Sequence, residues 1–210
     1  MSACPTRHQL LSHSAFREIL SPERTITVHS QGLATSLRRA LESYCVSGAR
    51  LIMAQGALET IRNNLAEAFA DETLPLLADM IELATRYQEV SGRQALRVRL
   101  EKVTTDSCRK FHVDCVGLRL LRTYDGPGVE WTANGGLNIH QAPDGAVVFL
   151  KGKHFPGWPE ATSVHHRSPC LSVLPSEKRY RLLLTIDEAG ACGASMDSSA
   201  MIAAGRHVCD

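Results

Sequence analysis

One imidazole and one carboxylate stand at His112-Val113-Asp114, and a second imidazole can come from His165-His166 downstream. Two histidines and one carboxylate are the facial ligand set of non-haem Fe(II) centres. Such a set leaves open positions on an octahedral ion for a chelating cosubstrate and oxygen. Side chains i and i+2 of a strand share a face, so a short strand here would offer His112 and Asp114 to one ion. The third ligand must come from elsewhere in the chain. Neighbours on a strand face opposite ways, so only one of His165 and His166 can serve. Arg179 and Arg181 follow, and they too would share one strand face. Arginine grips carboxylates through two parallel hydrogen bonds, so either could hold the far carboxylate of a cosubstrate. The apolar run after them predicts burial, and a buried arginine needs a partner. Asp187 is the structural alternative to a ligand in that role.

Other residues carry weaker signals. Tyr124 could hydrogen-bond a cosubstrate, although a core or turn position suits a tyrosine as well. Trp131 and Trp158 could line a pocket or simply pack. Cys108 and Cys115 flank His112, and with it would suit zinc. Their irregular spacing favours buried, unreactive thiols. Lys151 and Lys153 read as a solvated loop, and His207 and Cys209 as tail residues able to take adventitious metal.

The elements that must position these groups fall into two halves. From Leu33 to Gln88 apolar residues recur at spacings of three and four, the helical period. Leu37, Ala40, Leu41, Tyr44 and Cys45 share one such face. Ile52–Phe69 and Leu74–Tyr87 read as two further amphipathic helices, with Asp71, Glu72 and Pro75 opening the second. After Ser91-Gly92 the period changes to two. Ala95–Val103 alternates apolar and charged residues, as a half-buried strand does. Leu118–Tyr124, Ala146–Leu150, Ser163–His166 and Tyr180–Ile186 continue the series, with a candidate at Thr25–His29 before the helices. Asp125-Gly126-Pro127-Gly128 is a turn sequence. Short strands separated by turns predict an antiparallel barrel or jelly roll. The expected division is a helical region over 1–92, a metal-binding β core over 93–188 and a mobile tail over 189–210.

Composition narrows the partners. The 210 residues carry 23 Lys+Arg against 22 Asp+Glu, a formal charge of +1. Nothing in that balance asks for nucleic acid or an acidic membrane. The seven cysteines are odd in number and include no C-x-x-C pair. That argues against a zinc knuckle or disulfide framework and fits reduced thiols in a cytoplasm. Met1–Phe16 lacks the apolar core of a signal peptide, and no apolar run reaches membrane-span length.

The segments Cys108–Asp114, Leu118–Gly128 with Glu130-Trp131, Phe149–Gly152, His166–Pro169 and Arg181–Leu184 with Asp187 resemble, in this order, a bacterial family classed as domain of unknown function 1826. More distantly, H-x-D, a strand like Gly145–Phe149, His166 with Pro169 behind it, and Arg179-Tyr180 are similar to the iron- and 2-oxoglutarate-dependent dioxygenases. That resemblance implies an α+β fold, a helical layer packed on a double-stranded β-helix (jelly-roll, cupin-like) core. It implies metal ligands His112, Asp114 and His166, Fe(II) and 2-oxoglutarate as cofactors, and Arg179 or Arg181 on the 2-oxoglutarate tail. The separation of Arg179 from His166 is longer than those enzymes lead one to expect. The expected activity is oxygenation of a small-molecule or protein substrate that the sequence does not identify. Two rival readings stand beside it: a mononuclear zinc site, hydrolytic or serving zinc homeostasis, and a binding module with no metal.

Overall fold

The computed structural model describes residues 13–30, 32–106 and 108–191. In chain order it holds α1 (His13–Arg17), β1 (Ile26–His29), α2 (Thr35–Ser47), β2 (Leu51–Gly56), α3 (Leu58–Ala66) and α4 (Leu74–Ser91). Then come β3 (Leu96–Val103), β4 (Leu118–Asp125), β5 (Glu130–Thr132), β6 (His140–Gln141), β7 (Val147–Lys151), β8 (His165–Arg167) and β9 (Arg181–Glu188). The tail residues His207 and Cys209, and most of the tail expected to be mobile, lie outside the described residues.

α4 shows why the local sequence folds as it does. Pro75 sits in its first turn, where a missing N–H costs nothing. Gly92 closes it at φ 68°, its N–H returning to the Gln88 carbonyl, a left-handed cap that glycine adopts without strain. Between them Leu76, Met80, Ile81, Ala84 and Tyr87 are buried along one side.

Six strands form one sheet in the order β1-β7-β4-β9-β3-β2, and β6-β5-β8 form a second. Every pairing is antiparallel. Alternation divides the large sheet into two faces. Leu96, Val98 and Leu100 of β3, Leu118 and Leu120 of β4, and Leu182, Leu184 and Ile186 of β9 join the helices in one core. The intervening side chains face the other way. There Leu121, Val148, Leu150 and Leu183 meet Trp131 and Val164 in a second apolar cluster that ties the two sheets together.

Two expectations change. Ile52–Phe69 is not one helix. Its first part is β2, with Ile52 and Ala54 buried, paired to β3 from Leu51 opposite Glu101 to Gly56 opposite Leu96. Gly56 at φ 134° then breaks the chain into α3. A free sheet edge offers this short apolar stretch a ladder of hydrogen bonds, and that tertiary gain overrides its helical spacing. Lys151 is not solvated: its side chain is buried against the Phe155 ring and donates to the Ser21 carbonyl at 2.7 Å. Among the described residues no helix is long and apolar enough to cross a membrane.

Candidate metal centre

His112, Asp114 and His166 converge between the two sheets. One ligand atom from each lies within 4.8 Å of the others, the one such group of His, Cys, Asp or Glu among the described residues. The expected strand over 111–114 does not form. His112 instead makes an isolated antiparallel bridge to His166, with N–H···O bonds of 3.0 and 2.9 Å in both directions. His166 is also paired with Trp131 of β5, so His112 extends the edge of the small sheet. The imidazole centroids are 4.5 Å apart. Asp114 is held from another side: the Lys153 N–H donates to its carbonyl at 2.9 Å just beyond β7. His165 is exposed and His166 buried, and His166 is the one of the two that joins His112 and Asp114.

The carboxylate lies between the rings. His166 Nε2 is 3.1 Å from Asp114 Oδ2, and His112 Nε2 is 3.4 Å from Oδ1. His112 Nδ1 donates to the Lys110 carbonyl at 2.8 Å. A carbonyl only accepts, so this bond places a hydrogen on Nδ1 and turns Nε2 toward the carboxylate. Arg119 Nη1 is 2.7 Å from Oδ2, an ion pair out of line for a hydrogen bond, and Oδ2 stays buried without an aligned donor. Burial alone would raise the Asp114 pKa. The neighbouring imidazoles and the Arg119 charge outweigh it and hold the carboxyl well below its usual range. The Asp114 carboxylate in turn raises the pKa of His112 against desolvation.

Behind the carboxylate runs a buried chain of charges that sequence reading missed. Arg119 binds Asp187 through Nε and Nη2 at 2.7 and 2.9 Å, and Arg97 Nη2 reaches the same carboxylate at 2.8 Å. The register explains it, since Arg97, Asp187 and Arg119 stand directly opposite one another on β3, β9 and β4. The available signal was charge at inward-facing positions of otherwise apolar strands. Asp187 thus partners Arg119 and Arg97, and neither of the two arginines first considered.

Those two separate cleanly. Arg179 precedes β9, is exposed and donates to the Leu174 carbonyl at 2.8 Å, so it does not reach the site. Arg181 is 1% exposed and lines the same cavity, of about 390 Å³, as His112 and His166. Among the described residues its Nη1 and Nη2 donate only to Ser168 Oγ (3.2 Å) and Thr123 Oγ1 (3.0 Å), and its Nε has no partner. Burial pushes its pKa down to about 10, countered only by the more distant Glu130. Tyr124 sits on the opposite face of β4, buried among the helices with its hydroxyl on Asp79, and cannot reach the cavity. Trp131 packs between the sheets against the His140 ring. Cys108 and Cys115 are exposed, not buried; Cys108 lines the cavity at a positive φ of 54°.

The chain belongs to the family described as "Protein of unknown function (DUF1826)", which matches residues 11–187. No curated protein matches it. Among solved structures it is similar to a bsmA homolog from Methylobium petroleophilum (13% identity, TM-score 0.50, 84% of this chain and 92% of that one). A prolyl-4-hydroxylase from Pseudomonas putida matches at 14% identity and TM-score 0.49, over 84% of this chain and 97% of that one. An auxin-oxidising dioxygenase from Arabidopsis thaliana, solved as its 2-oxoglutarate complex, matches at 15% identity and TM-score 0.48, over 88% and 90%. At these identities the likeness concerns the fold.

Proposed function

We propose that this protein is a non-haem Fe(II)- and 2-oxoglutarate-dependent oxygenase on a double-stranded β-helix core, with His112, Asp114 and His166 as metal ligands and Arg181 as the anchor of the cosubstrate. The donor set suits the ion. Adjacent ligands about 2.1 Å from an octahedral ion stand about 3.0 Å apart, close to the 3.1 and 3.4 Å separations of the carboxylate from the two imidazoles. The buried Asp114 Oδ2 without an aligned donor is an atom that a cation would satisfy. When bound, ferrous iron would supply, with dioxygen as the oxidant, the oxidative decarboxylation of 2-oxoglutarate to succinate and carbon dioxide, the second oxygen atom going to another molecule.

The protein's own groups do the rest. The Lys110 carbonyl and Arg119 fix the orientation of two ligands. Leu121, Val129 and Leu183 give the otherwise charged cavity one apolar wall. The observation that carries the reading is Arg181. A buried guanidinium held by two hydroxyls and no carboxylate among the described residues, in the cavity that His112 and His166 also line, is short of one carboxylate. A dicarboxylate that chelates the ion with one end would supply it with the other. A zinc hydrolase has no need of 2-oxoglutarate, so binding of that cosubstrate separates the two readings.

The test is an anaerobic titration of Fe(II)-loaded protein with 2-oxoglutarate, followed by the visible metal-to-ligand charge-transfer band. A saturable band is expected, absent in His112→Ala and shifted to at least tenfold higher 2-oxoglutarate in Arg181→Leu. Bound iron with no band would reject the 2-oxoglutarate mechanism. A band unchanged in Arg181→Leu would reject the anchor.

A further inference from the structure

We infer that the substrate of this site carries an oxyanion, a carboxylate or a phosphate, received by Arg167 with Arg109 and Lys110 in the outer cavity above His112. The inference rests on the oxygenase reading for the word substrate, but its physical basis is independent of any metal. A second cavity, of about 790 Å³, opens over the centre, and it shares Cys108, His112, Arg167 and Ser168 with the inner one. Arg167 and His112 stand where the two cavities meet.

The charges of the two cavities are settled differently. In the inner one Arg97 and Arg119 are matched by Asp187, Arg119 also by Asp114, and Arg99 by Glu101. Arg181 is spoken for by the proposed cosubstrate. The outer cavity is lined by Arg109, Lys110 and Arg167 and by no carboxylate among the described residues. Arg109 has only a 3.9 Å approach to Asp106. The Lys110 ammonium has no ionic partner among the described residues.

Arg167 is the organised member. Its guanidinium lies 4.3 Å from the Phe111 ring centroid, and its Nε donates to Glu130 at 2.7 Å. Stacking and one ion pair hold the group in place, while its remaining N–H donors have no partner among the described residues. A guanidinium fixed by one edge offers a planar fork suited to an oxyanion. Because Arg167 lines both cavities together with His112, it sets such an anion beside the centre without occupying it. Arg109 and Lys110 add attraction at the mouth, which salt would weaken.

The experiment uses metal-free full-length protein without 2-oxoglutarate, titrated calorimetrically at low ionic strength with inorganic phosphate and, separately, with acetate. Saturable binding of at least one is expected, and the tighter of the two identifies the preferred oxyanion. The double reversal Arg109→Glu/Lys110→Glu, at exposed positions that do not threaten folding, should weaken it at least tenfold. Arg167→Lys, which keeps the charge and loses the fork, should weaken it several-fold, and the binding lost in the double reversal should persist in Arg181→Ala, even where that variant removes a separate anion from the inner arginine. Binding abolished by Arg181→Ala and indifferent to the reversal would place the anion in the inner cavity and overturn the inference. So would no saturable binding of either anion. Because no metal is present, these outcomes are separate from success or failure of the charge-transfer titration.

Discussion

At the residue scale the unusual object is Arg181, because its burial works against the fold. An ionised side chain removed from water without a counter-charge is among the costliest burials a protein makes. Here two neutral hydroxyls are its only hydrogen-bond acceptors among the described residues. Arg181→Leu is therefore expected to make the ligand-free protein more stable, by about 1–4 kcal/mol, the range found when buried charge gives way to apolar packing. It should do so while weakening 2-oxoglutarate. Urea unfolding of both proteins measures the first effect; a less stable variant would mean that the arginine is structural. The sequence carried the residue types of this centre well. His112, Asp114 and the imidazole pair were legible because few chemistries want that set. The choice of Arg181 over Arg179 was not legible, because both would share a face of any strand containing them. It depends on β9 starting only at Arg181.

At the element scale the ligands depend on how strands are laid against each other. Asp187 lies between Arg97 and Arg119 on the three central neighbours β3, β9 and β4, and is 1% exposed. Asp187→Ala would leave the buried Arg97 short of its anion and the half-buried Arg119 with Asp114 alone. A loss of about 3–5 kcal/mol in unfolding free energy is expected, as for other broken buried pairs; a loss under about 1 kcal/mol would show that water replaces the carboxylate. The segment after β7 makes the second link. A methyl group on Gly152 would fall 2.3 Å from the Val116 carbonyl oxygen and 2.7 Å from that of Asp114, so the backbone bearing the ligand would have to move. Gly152→Ala should cost about 1–3 kcal/mol as overpacking does. It should also weaken metal binding out of proportion to that loss, which comparison of Co(II) affinity with urea stability would reveal. An unchanged affinity would mean that the strain is absorbed on the β7 side. These close approaches were invisible beforehand. A glycine after a strand reads as a turn, and only the pairing of 152–154 with 114–117 shows what it makes room for.

At the scale of the molecule, the sequence exposed a change from helical to strand period near Gly92 but not the way the two halves interlock. Both edge strands of the large sheet, β1 and β2, come from before that point. Local periodicity cannot report a pairing partner far away in the chain, and so β2 was hidden within a helical pattern. The centre lies across the resulting architecture. His112 and His166 belong to the edge of the small sheet, Asp114 is fastened beside β7, and Arg181 stands on β9 of the large sheet. An ion would join the first three, and a dicarboxylate reaching from the ion to Arg181 would tie small sheet to large. Each ligand that binds only the folded state adds stability with its concentration, about 2.7 kcal/mol at a hundredfold excess over Kd. Under anaerobic conditions Fe(II) alone should therefore raise the melting temperature, and 2-oxoglutarate should raise it again only when the metal is present. Arg181→Leu should abolish the second increment and keep the first, whereas His112→Ala should lose both. If 2-oxoglutarate stabilised the metal-free protein as much as the loaded one, the dicarboxylate would be binding arginine without chelation, and the link between ion and anchor would fall.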